Sequence, residues 1–291
     1  MPEKFFAYLN IDDPLVAWEV AIGRLRSVDD PGPDNHPGII SLFLASKLRE
    51  TFALDRPRWL SREFVLEKAR VDRHPQAVSR LRGVYMFTSM EDAMRARAEW
   101  RLPGWKQDYL SEVHFSAERL TVVDTDWISE ADSSLDTSWM DSYWSGTPKR
   151  KKPLLEVLGI GVGQIQNRAL REQAYQTAIR NWPGSTNLLQ RAMYGFCEAQ
   201  METAAQVRAF LMLVDDKFLL DHLIYMDDFK RANPRLQEVL FAAAARGDFP
   251  TTPPPSDQYA PDLKEKRMEI AVPALQQLLK GAGWDDEPGG S

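Results

Sequence analysis

The sequence predicts an α+β fold up to residue 163 and an all-helical region after it. The first region mixes short apolar runs of strand type with short amphipathic segments, without strict β-α-β alternation. Beyond it the apolar residues recur at helical spacing, and the segment 205–225 carries a wide apolar stripe. We therefore expect an α+β domain at 1–163, a helical domain at 164–284 and a disordered tail at 285–291.

The individual elements are predicted from the spacing of the apolar residues and from the Gly, Pro and Asp residues that bound each run. Apolar runs of four to nine residues, bounded by Gly, Pro or Asp, are typical of strands, and longer segments with apolar residues three and four apart are typical of helices. Predicted strands are 5–11, 83–87, 109–115, 119–123 and the run LLEVLGIGV at 154–162. Predicted helices are 15–26, 39–52, 62–71 and 90–100, followed by 164–182, 188–201, 205–225, 229–246 and 263–279.

Composition limits the class of protein. Of 291 residues, 44% are hydrophobic and 27% charged, which is normal for a globular protein with a real core. The net charge of -6 argues against a broad nucleic-acid-binding surface but leaves a local basic groove open. The single Cys197 excludes a disulfide framework. No membrane-spanning run and no leader pattern are visible, so we expect a cytoplasmic protein without membrane contact.

Several common catalytic motifs are absent from the sequence. It contains no GxxxxGK[ST], no GxGxxG after a strand, no HExxH and no GxSxG. Asp124 and Asp126 form an acidic pair at a predicted strand end, where they could bind a metal, but a role in a turn is favoured. We expect no metal site, since the four histidines have no metal-ligand spacing: His36, His74, His114 and His222.

One carboxylate stands out, because Glu156 lies inside the apolar run LLEVLGIGV. A charged side chain in a buried strand is costly unless it meets a partner, a ligand or solvent. Taken alone, the spacing favours a glutamate at the exposed edge of a strand. The alternative is a functional acid.

The order of several short motifs resembles an uncharacterised bacterial family with the ADP-ribosyltransferase fold. The similarity covers roughly residues 1–163. The matching pieces, in chain order, are Ser61-Arg62-Glu63-Phe64 with Glu67 and Arg70, His74-Pro75, Ser79-Arg80-Leu81, the strand GVYMF, Glu91-Asp92-Ala93, Glu112-Val113, the turn 124–127, Tyr143-Trp144-Ser145-Gly146 and Glu156-Val157-Leu158.

The resemblance implies a split β-sandwich of ADP-ribosyltransferase type that grips NAD, used as a substrate, in a cleft. Enzymes of this kind break the bond between nicotinamide and ribose through an oxocarbenium-like transition state, which a carboxylate stabilises. Glu156 is the matching position and hence the predicted catalytic acid. The implied activity is mono-ADP-ribosylation of RNA, DNA or protein, by a toxin or a phage-defence effector.

The same resemblance assigns the NAD-binding residues. The first strand of such folds carries an Arg or His, whereas here only Tyr8 is available. Arg80 is expected to pair with the pyrophosphate, because a guanidinium matches phosphate oxygens. Tyr85 or Tyr143 is expected to stack on nicotinamide, with ordinary packing as the alternative. Arg62 and Glu63 are expected to border the cleft, or else to lie on a solvated helix face.

Two other functions stay open. Because the first strand lacks the expected Arg or His, the protein is alternatively a non-catalytic binding protein on the same scaffold. Its docking faces would then be the apolar stripes of the C-terminal helices. If water alone accepts the ribosyl group, the protein is an NAD hydrolase.

Overall fold

The computed structural model describes residues 2–28, 37–53, 58–101, 106–129, 138–214, 217–226, 233–247 and 260–271. These residues form two antiparallel β-sheets with helices packed against them. The predicted fold class, a split β-sandwich followed by an all-helical region, is wrong, because the region predicted to be all-helical contributes three complete strands. The predicted tail at 285–291 lies outside the described residues.

The first sheet has five strands in the order β1-β5-β6-β2, and β4 also pairs with β6. A bridge between Phe6 and Phe87, with hydrogen bonds of 2.9 and 2.8 Å, joins β1 to the residue after β4. Since β1 and β4 lie on opposite edges, the sheet is strongly curled. Its strands are β1 (Glu3–Tyr8), β2 (Arg24–Arg26), β4 (Val84–Met86), β5 (Leu110–Asp124) and β6 (Leu155–Ile165).

The antiparallel pair of β5 and β6 is the longest strand pair in this sheet. The two predicted strands at 109–115 and 119–123 are one continuous strand, β5. Its register against β6 shifts between Ala117 and Arg119, where the chain forms a β-bulge. The bulge explains the apparent break, because an extra residue interrupts the apolar alternation of the sequence.

The second sheet has the strand order β3-β7-β8-β9, and it shows that the helix predicted at 205–225 is wrong. Within that segment, residues 206–214 and 217–225 form two antiparallel strands, in which Ala209, Leu211 and Leu220 are fully buried. The stretch 209–214 is apolar without a break, so the sequence fits a helical stripe and a buried strand equally well. Its strands are β3 (Pro37–Ile40), β7 (Gln206–Val214), β8 (Lys217–Tyr225) and β9 (Met268–Ala271).

This sheet also combines the two predicted regions, since β3 comes from before residue 164. The apolar stripe that we expected as a docking face lies instead on the strands of this sheet, and Val207, Leu211 and Phe218 are buried. Of the predicted helix 263–279, residues 264–266 form a 3-10 turn and 268–271 form β9. Residues 272–279 are not described.

Most other predicted helices are present. No helix among the described residues is long and apolar enough to cross a membrane. The predicted helix 15–26 ends early, because Gly23 adopts the left-handed conformation (φ 92°) and β2 follows. The helices are α1 (Pro14–Ile22), α2 (Leu42–Ala53), α3 (Arg58–Arg73), α4 (Met90–Trp100), α5 (Asp126–Ser129), α6 (Trp139–Trp144), α7 (Arg168–Asn181), α8 (Thr186–Cys197) and α9 (Pro234–Ala245).

Helix α1 is the centre of the main core, and all nine of its residues are buried. It packs against the first sheet, α7 and α8. At its start the Asp13 carboxylate accepts a hydrogen bond from the Leu15 amide at 2.9 Å, which caps the helix. Trp18, fully buried, donates its ring N–H to the Ala205 carbonyl at 3.0 Å. The helix therefore contacts the segment that leads into the second sheet.

A buried ion pair connects the two sheets. The Arg24 guanidinium donates to both Glu19 oxygens at 2.6 and 2.9 Å and to the Ala204 carbonyl at 3.0 Å. Glu19 also accepts a hydrogen bond from the Val207 amide at 2.8 Å. These bonds satisfy both charges inside the protein. They fix the start of β7 against α1 and β2.

Helix α3 lies between the second sheet and β6. Phe64 stacks on Phe218 of β8, with ring centroids 5.8 Å apart. On another side, Leu66 and Ala69 belong to a cluster with Leu158 of β6 and residues of α6. The side chains of α3 between these contacts point to the seam where both sheets meet.

We predict that Gly161 of β6 cannot be replaced. Its φ of +145° disfavours other residues, and an added Cβ would lie 2.2 Å from the Ser116 carbonyl oxygen at the bulge. Gly161→Ala should lower the free energy of unfolding by about 3 kcal/mol or more, measured by chemical denaturation. The control is Gly184→Ala, where an added Cβ meets nothing within 4 Å, so a change within about 0.5 kcal/mol is expected. Equal effects of the two substitutions would contradict the strain argument.

Candidate functional site

One guanidinium holds together three of the predicted site residues. Arg80, only 4% exposed, donates from Nε and Nη2 to the two carboxylate oxygens of Glu63 at 2.7 and 3.1 Å. Its Nη1 donates to Glu156 Oε2 at 3.0 Å and to the Tyr143 hydroxyl. Residues from α3, β6 and α6 therefore meet at a single buried cation.

The local chain geometry fixes Arg80 in this position. It lies in a tight turn before β4, where the Gly83 amide donates to the Ser79 carbonyl at 2.8 Å. The Tyr85 hydroxyl donates to the Arg80 carbonyl at 2.6 Å, and its ring centroid lies 4.9 Å from the guanidinium carbon. The Tyr143 ring lies 5.6 Å from the same carbon. Backbone and side chain are thus both held, and cation-π contacts add to the ion pairs.

The two glutamates on Arg80 differ in their ionisation. Burial raises the pKa of the Glu63 carboxyl, but the charge and bidentate hydrogen bonds of Arg80, with Lys47 and Arg62, outweigh it, so the net pKa is lowered. Burial also raises the pKa of Glu156; Arg80 and Lys47 oppose this only in part and Glu63 adds to it, so the net pKa is raised. Glu63 is therefore the ionised counter-ion of Arg80. Glu156 is a second carboxylate whose ionised form is disfavoured by burial.

A cavity of ≈ 500 Å³ opens beside this cluster, within the usual range for small-molecule sites of about 300–1,000 Å³. Five of the seven predicted site residues line it. The other two, Glu63 and Tyr143, are buried against Arg80. The predicted residues in its wall are Tyr8, Arg62, Arg80, Tyr85 and Glu156, and it also has aromatic faces from Phe43, Phe87 and Trp100.

Tyr8 and Arg62 reach the cavity from different elements. Tyr8, at the end of β1, is 3% exposed, and its hydroxyl donates to the Met94 sulfur at 3.6 Å. Burial raises the pKa of Tyr8, with the charge of Arg97 opposing. Arg62 donates from Nη1 to the Ile128 carbonyl at 3.1 Å, while its buried Nε has no hydrogen-bond partner among the described residues.

Sequence reasoning missed Lys47 of α2, which also lines the cavity. Burial lowers the pKa of Lys47 to about 8; Glu63 and Glu156 oppose the decrease, and Arg80 and Arg62 add to it. The sequence alone does not mark Lys47, because a single lysine in an amphipathic helix is typical of a solvated face. Only the packing of α2 shows that its neighbours Ala45, Ser46 and Leu48 are buried.

The acidic pair at the end of β5 forms a turn. Asp124 accepts hydrogen bonds from the Asp126 amide at 3.0 Å and the Lys149 amide at 2.7 Å, and Asp126 pairs with Arg150. In the described part of the chain, no group of three potential ligands is placed to hold a metal ion. The favoured turn role is therefore what these hydrogen bonds show.

Comparison with known protein families finds none that matches this chain, and no curated protein matches it. The interpretation of the site therefore depends on its own geometry.

We predict that neutralising the two glutamates changes the free energy of unfolding by different amounts. Glu63→Gln should lower the free energy of unfolding at pH 7 by about 3 kcal/mol, because Arg80 loses its main counter-ion in a buried site. Glu156→Gln should change it by less than about 1 kcal/mol or raise it, since burial already favours the neutral form. Chemical denaturation measures both, and similar losses in the two variants would contradict the assignment.

The pH dependence follows from the same shifts. The lowered pKa of Glu63 means that its stabilisation is present above the unfolded-state value near 4.5 and is lost as the pH falls through the folded-state pKa. The raised pKa of Glu156 means that its stabilisation is present below that value and is lost as the pH rises through the folded-state pKa. The difference between the two variants should therefore be large at pH 7 and shrink in acid.

Proposed function

We propose that this protein is an NAD-dependent mono-ADP-ribosyltransferase that modifies a macromolecule. The observation that supports it most is the position of Glu156. Its buried carboxylate lies in the wall of a cavity that Arg80, Tyr85 and Tyr8 also line. Glu50 and Glu99 also line the cavity, and Glu156 is the carboxylate that Arg80 holds in place there. A fixed, buried carboxylate beside aromatic faces is an arrangement that stabilises a ribosyl cation.

The reaction breaks the bond between ribose C1′ and the nicotinamide nitrogen. The electron pair of that bond leaves with nicotinamide, and positive charge develops on the ribose as in glycoside hydrolysis. A nucleophilic oxygen or nitrogen of the acceptor then bonds to C1′ and loses its proton. Ionised Glu156 stabilises the developing charge, and the low dielectric of a buried site strengthens this interaction.

Arg80 serves as a positioning residue in this proposal, which revises its expected role as a pyrophosphate partner. Its Nε and both Nη atoms already donate to protein groups. It fixes Oε2 of Glu156, and Glu63 and Tyr143 fix Arg80 in turn. Such preorganisation avoids the cost of reorienting the carboxylate during the reaction.

The two tyrosines expected to stack on nicotinamide differ in access. Tyr85 lines the cavity, whereas Tyr143 is fully buried behind Arg80. Tyr85 is therefore the residue that we assign to ring contact, with Phe43 next to it at a centroid distance of 6.2 Å. Aromatic faces of this kind suit a nicotinamide or adenine ring.

Macromolecular targets and biological role are part of the same proposal. Transfer to RNA, DNA or protein, or the loss of NAD itself, would make the protein a toxin or a phage-defence effector in the cytoplasm. If water is the acceptor, free ADP-ribose is the product and the protein is an NAD hydrolase. Mass spectrometry of RNA, DNA and protein after expression separates these cases by the ADP-ribose mass.

A non-catalytic binding protein is the second candidate. The observation that favours it is the contact between Glu156 and Arg80, which occupies one oxygen of the proposed catalytic acid. In that case the cavity binds a ligand without turnover. Calorimetry with NAD tests this, because an absence of heat at millimolar NAD removes the enzyme proposal.

We predict that Glu156→Gln abolishes NAD turnover while the fold stays intact. Loss of a preorganised charge at the transition state should reduce kcat by about 100-fold or more. Nicotinamide release measured by chromatography gives the rate, and circular dichroism checks the fold.

The matched control is Glu67→Gln. Glu67 is also a buried glutamate paired with an arginine, Arg70, at 2.9 Å, but it does not line the cavity. Its variant should keep turnover within about threefold of wild type. Undiminished turnover in Glu156→Gln would remove the catalytic assignment.

A further inference from the structure

A short basic loop borders the mouth of the cavity. Residues 149–152 are Lys-Arg-Lys-Lys, and they lead through Pro153 into β6. Glu99 of α4 lines the cavity and is exposed, so it marks where the cavity meets solvent. Arg150 Nη2 lies 4.0 Å from Glu99 Oε2. Arg95, on the same helix, donates a hydrogen bond to the Pro153 carbonyl. The loop is therefore held against α4 at the cavity mouth.

Two of the four basic residues anchor this loop. The Arg150 guanidinium pairs with the Asp126 carboxylate through two hydrogen bonds. Lys149 Nζ donates to the Asp126 carbonyl at 3.3 Å and lies 5.0 Å from the centre of the Trp127 ring. These contacts join the loop to the end of β5 and to α5. Because the protein holds both side chains, they fix the position of the residues that follow.

The other two basic residues face solvent without a counter-ion. Lys151 and Lys152 are exposed, and neither forms an ion pair in the described part of the chain. Arg101, directly after the cavity residue Trp100, is likewise exposed and has no ion pair among the described residues. We call Arg101, Lys151 and Lys152 the basic rim. It is a local exception in a chain whose net charge is -6.

The carboxylates that contact this region are already engaged. Asp126 pairs with Arg150. Glu99 lies between Arg150 and Arg95, at 4.0 and 3.8 Å, and Asp92 lies 3.9 Å from Arg95. These acids compensate the arginines that anchor the loop. The three charges of the basic rim therefore remain for an external anion.

We propose that the basic rim binds the phosphate backbone of a single-stranded nucleic acid and brings one of its nucleotides to the cavity mouth. The inference rests on the proposed function and deepens it, because it chooses among the acceptors. Exposed lysine and arginine bind phosphates of any sequence. Trp100 lies between Glu99 and Arg101 and lines the cavity, so its ring is placed to stack on an unpaired base. An acidic side chain of a protein would match the charge but offers no ring.

The distance from the basic rim to the proposed catalytic acid fits this role. Lys152 precedes Glu156 by four residues, so their Cα atoms lie at most about 14 Å apart even in a fully extended chain. A strand bound at the rim therefore has its next few nucleotides at the cavity. A duplex fits less well, because a paired base must first leave its stack, at a cost of a few kcal/mol.

The main experiment measures binding of a labelled single-stranded oligouridylate by fluorescence anisotropy. The double substitution Lys151→Gln and Lys152→Gln should weaken binding by about 10-fold at low salt, because two phosphate contacts are lost. The slope of log affinity against log salt should decrease by about 1.4, which is about 0.7 for each contact to a single strand. The same measurement with oligothymidylate distinguishes RNA from DNA.

A charge-matched control comes from the turn before β9. Lys264→Gln with Lys266→Gln removes the same charge from another surface, so affinity should stay within about twofold and the salt slope should not change. Glu99→Gln tests the opposite sign. Loss of its negative charge at the cavity mouth should tighten oligouridylate binding by about two- to threefold. Circular dichroism checks the fold of each variant.

Several results would overturn the inference. One is no binding of either oligonucleotide by the wild-type protein, and another is equal loss of affinity in the rim and control variants. A third is tighter binding of the duplex than of the single strand. Tighter binding of a polyglutamate peptide of equal charge would replace the nucleic acid with an acidic protein.

The outcomes also separate the basic rim from the proposed function. If binding depends on Lys151 and Lys152 but no ADP-ribose is transferred to the oligonucleotide or to any other acceptor, the nucleic-acid surface stands and the transferase proposal falls. If NAD is consumed while neither oligonucleotide binds, the nucleic-acid surface falls and the enzyme acts on protein or water. Chromatography of nicotinamide and mass spectrometry of the oligonucleotide supply both readouts.

Discussion

The contact of two glutamates with one buried arginine is the constraint on which the site depends. Moving an isolated charge out of water costs several kcal/mol. Burial of Arg80 is therefore tolerated because Glu63 compensates its charge and accepts two hydrogen bonds from it. Together with the hydrogen bond from Arg80 to Glu156, those bonds require α3, the turn before β4 and β6 to keep their relative positions. A shift of any of these elements would separate the charges, and the cavity beside them would change shape.

The same constraint explains why the site lies at the seam between the sheets. Helix α3 packs with Phe64 on the second sheet and directs Glu63 to Arg80, while β6 of the first sheet supplies Glu156. The sheets are held to each other elsewhere by Glu19 and Arg24. Helices α2 and α3, which bring Lys47 and Arg62 to the cavity, pack on the second sheet through Leu44, Leu48 and Phe64.

The sequence indicated residues that the structure brings to one cavity, whereas its predicted fold class is wrong. The carboxylate in the apolar run was a signal in the residues themselves, because burial of a charge demands partners, and Arg80 was assigned only through the resemblance. The strand pair of β7 and β8 could not be predicted from the periodicity of apolar residues, since these residues lie on both faces of the strands. Lys47 was missed for a related reason: a single lysine in an amphipathic helix looks solvated until the packing of α2 is known.

The second glutamate is the strongest argument that the cluster is more than a structural ion network. Glu63 alone neutralises Arg80, with both of its oxygens engaged. Burial raises the pKa of Glu156, and Arg80 and Lys47 oppose this only in part, so its ionised form opposes folding near neutral pH. A purely structural role would be served better by a neutral residue at that position, such as glutamine. Glu156 costs stability and lies in the wall of a cavity. That combination is expected where chemistry or ligand binding needs the charge.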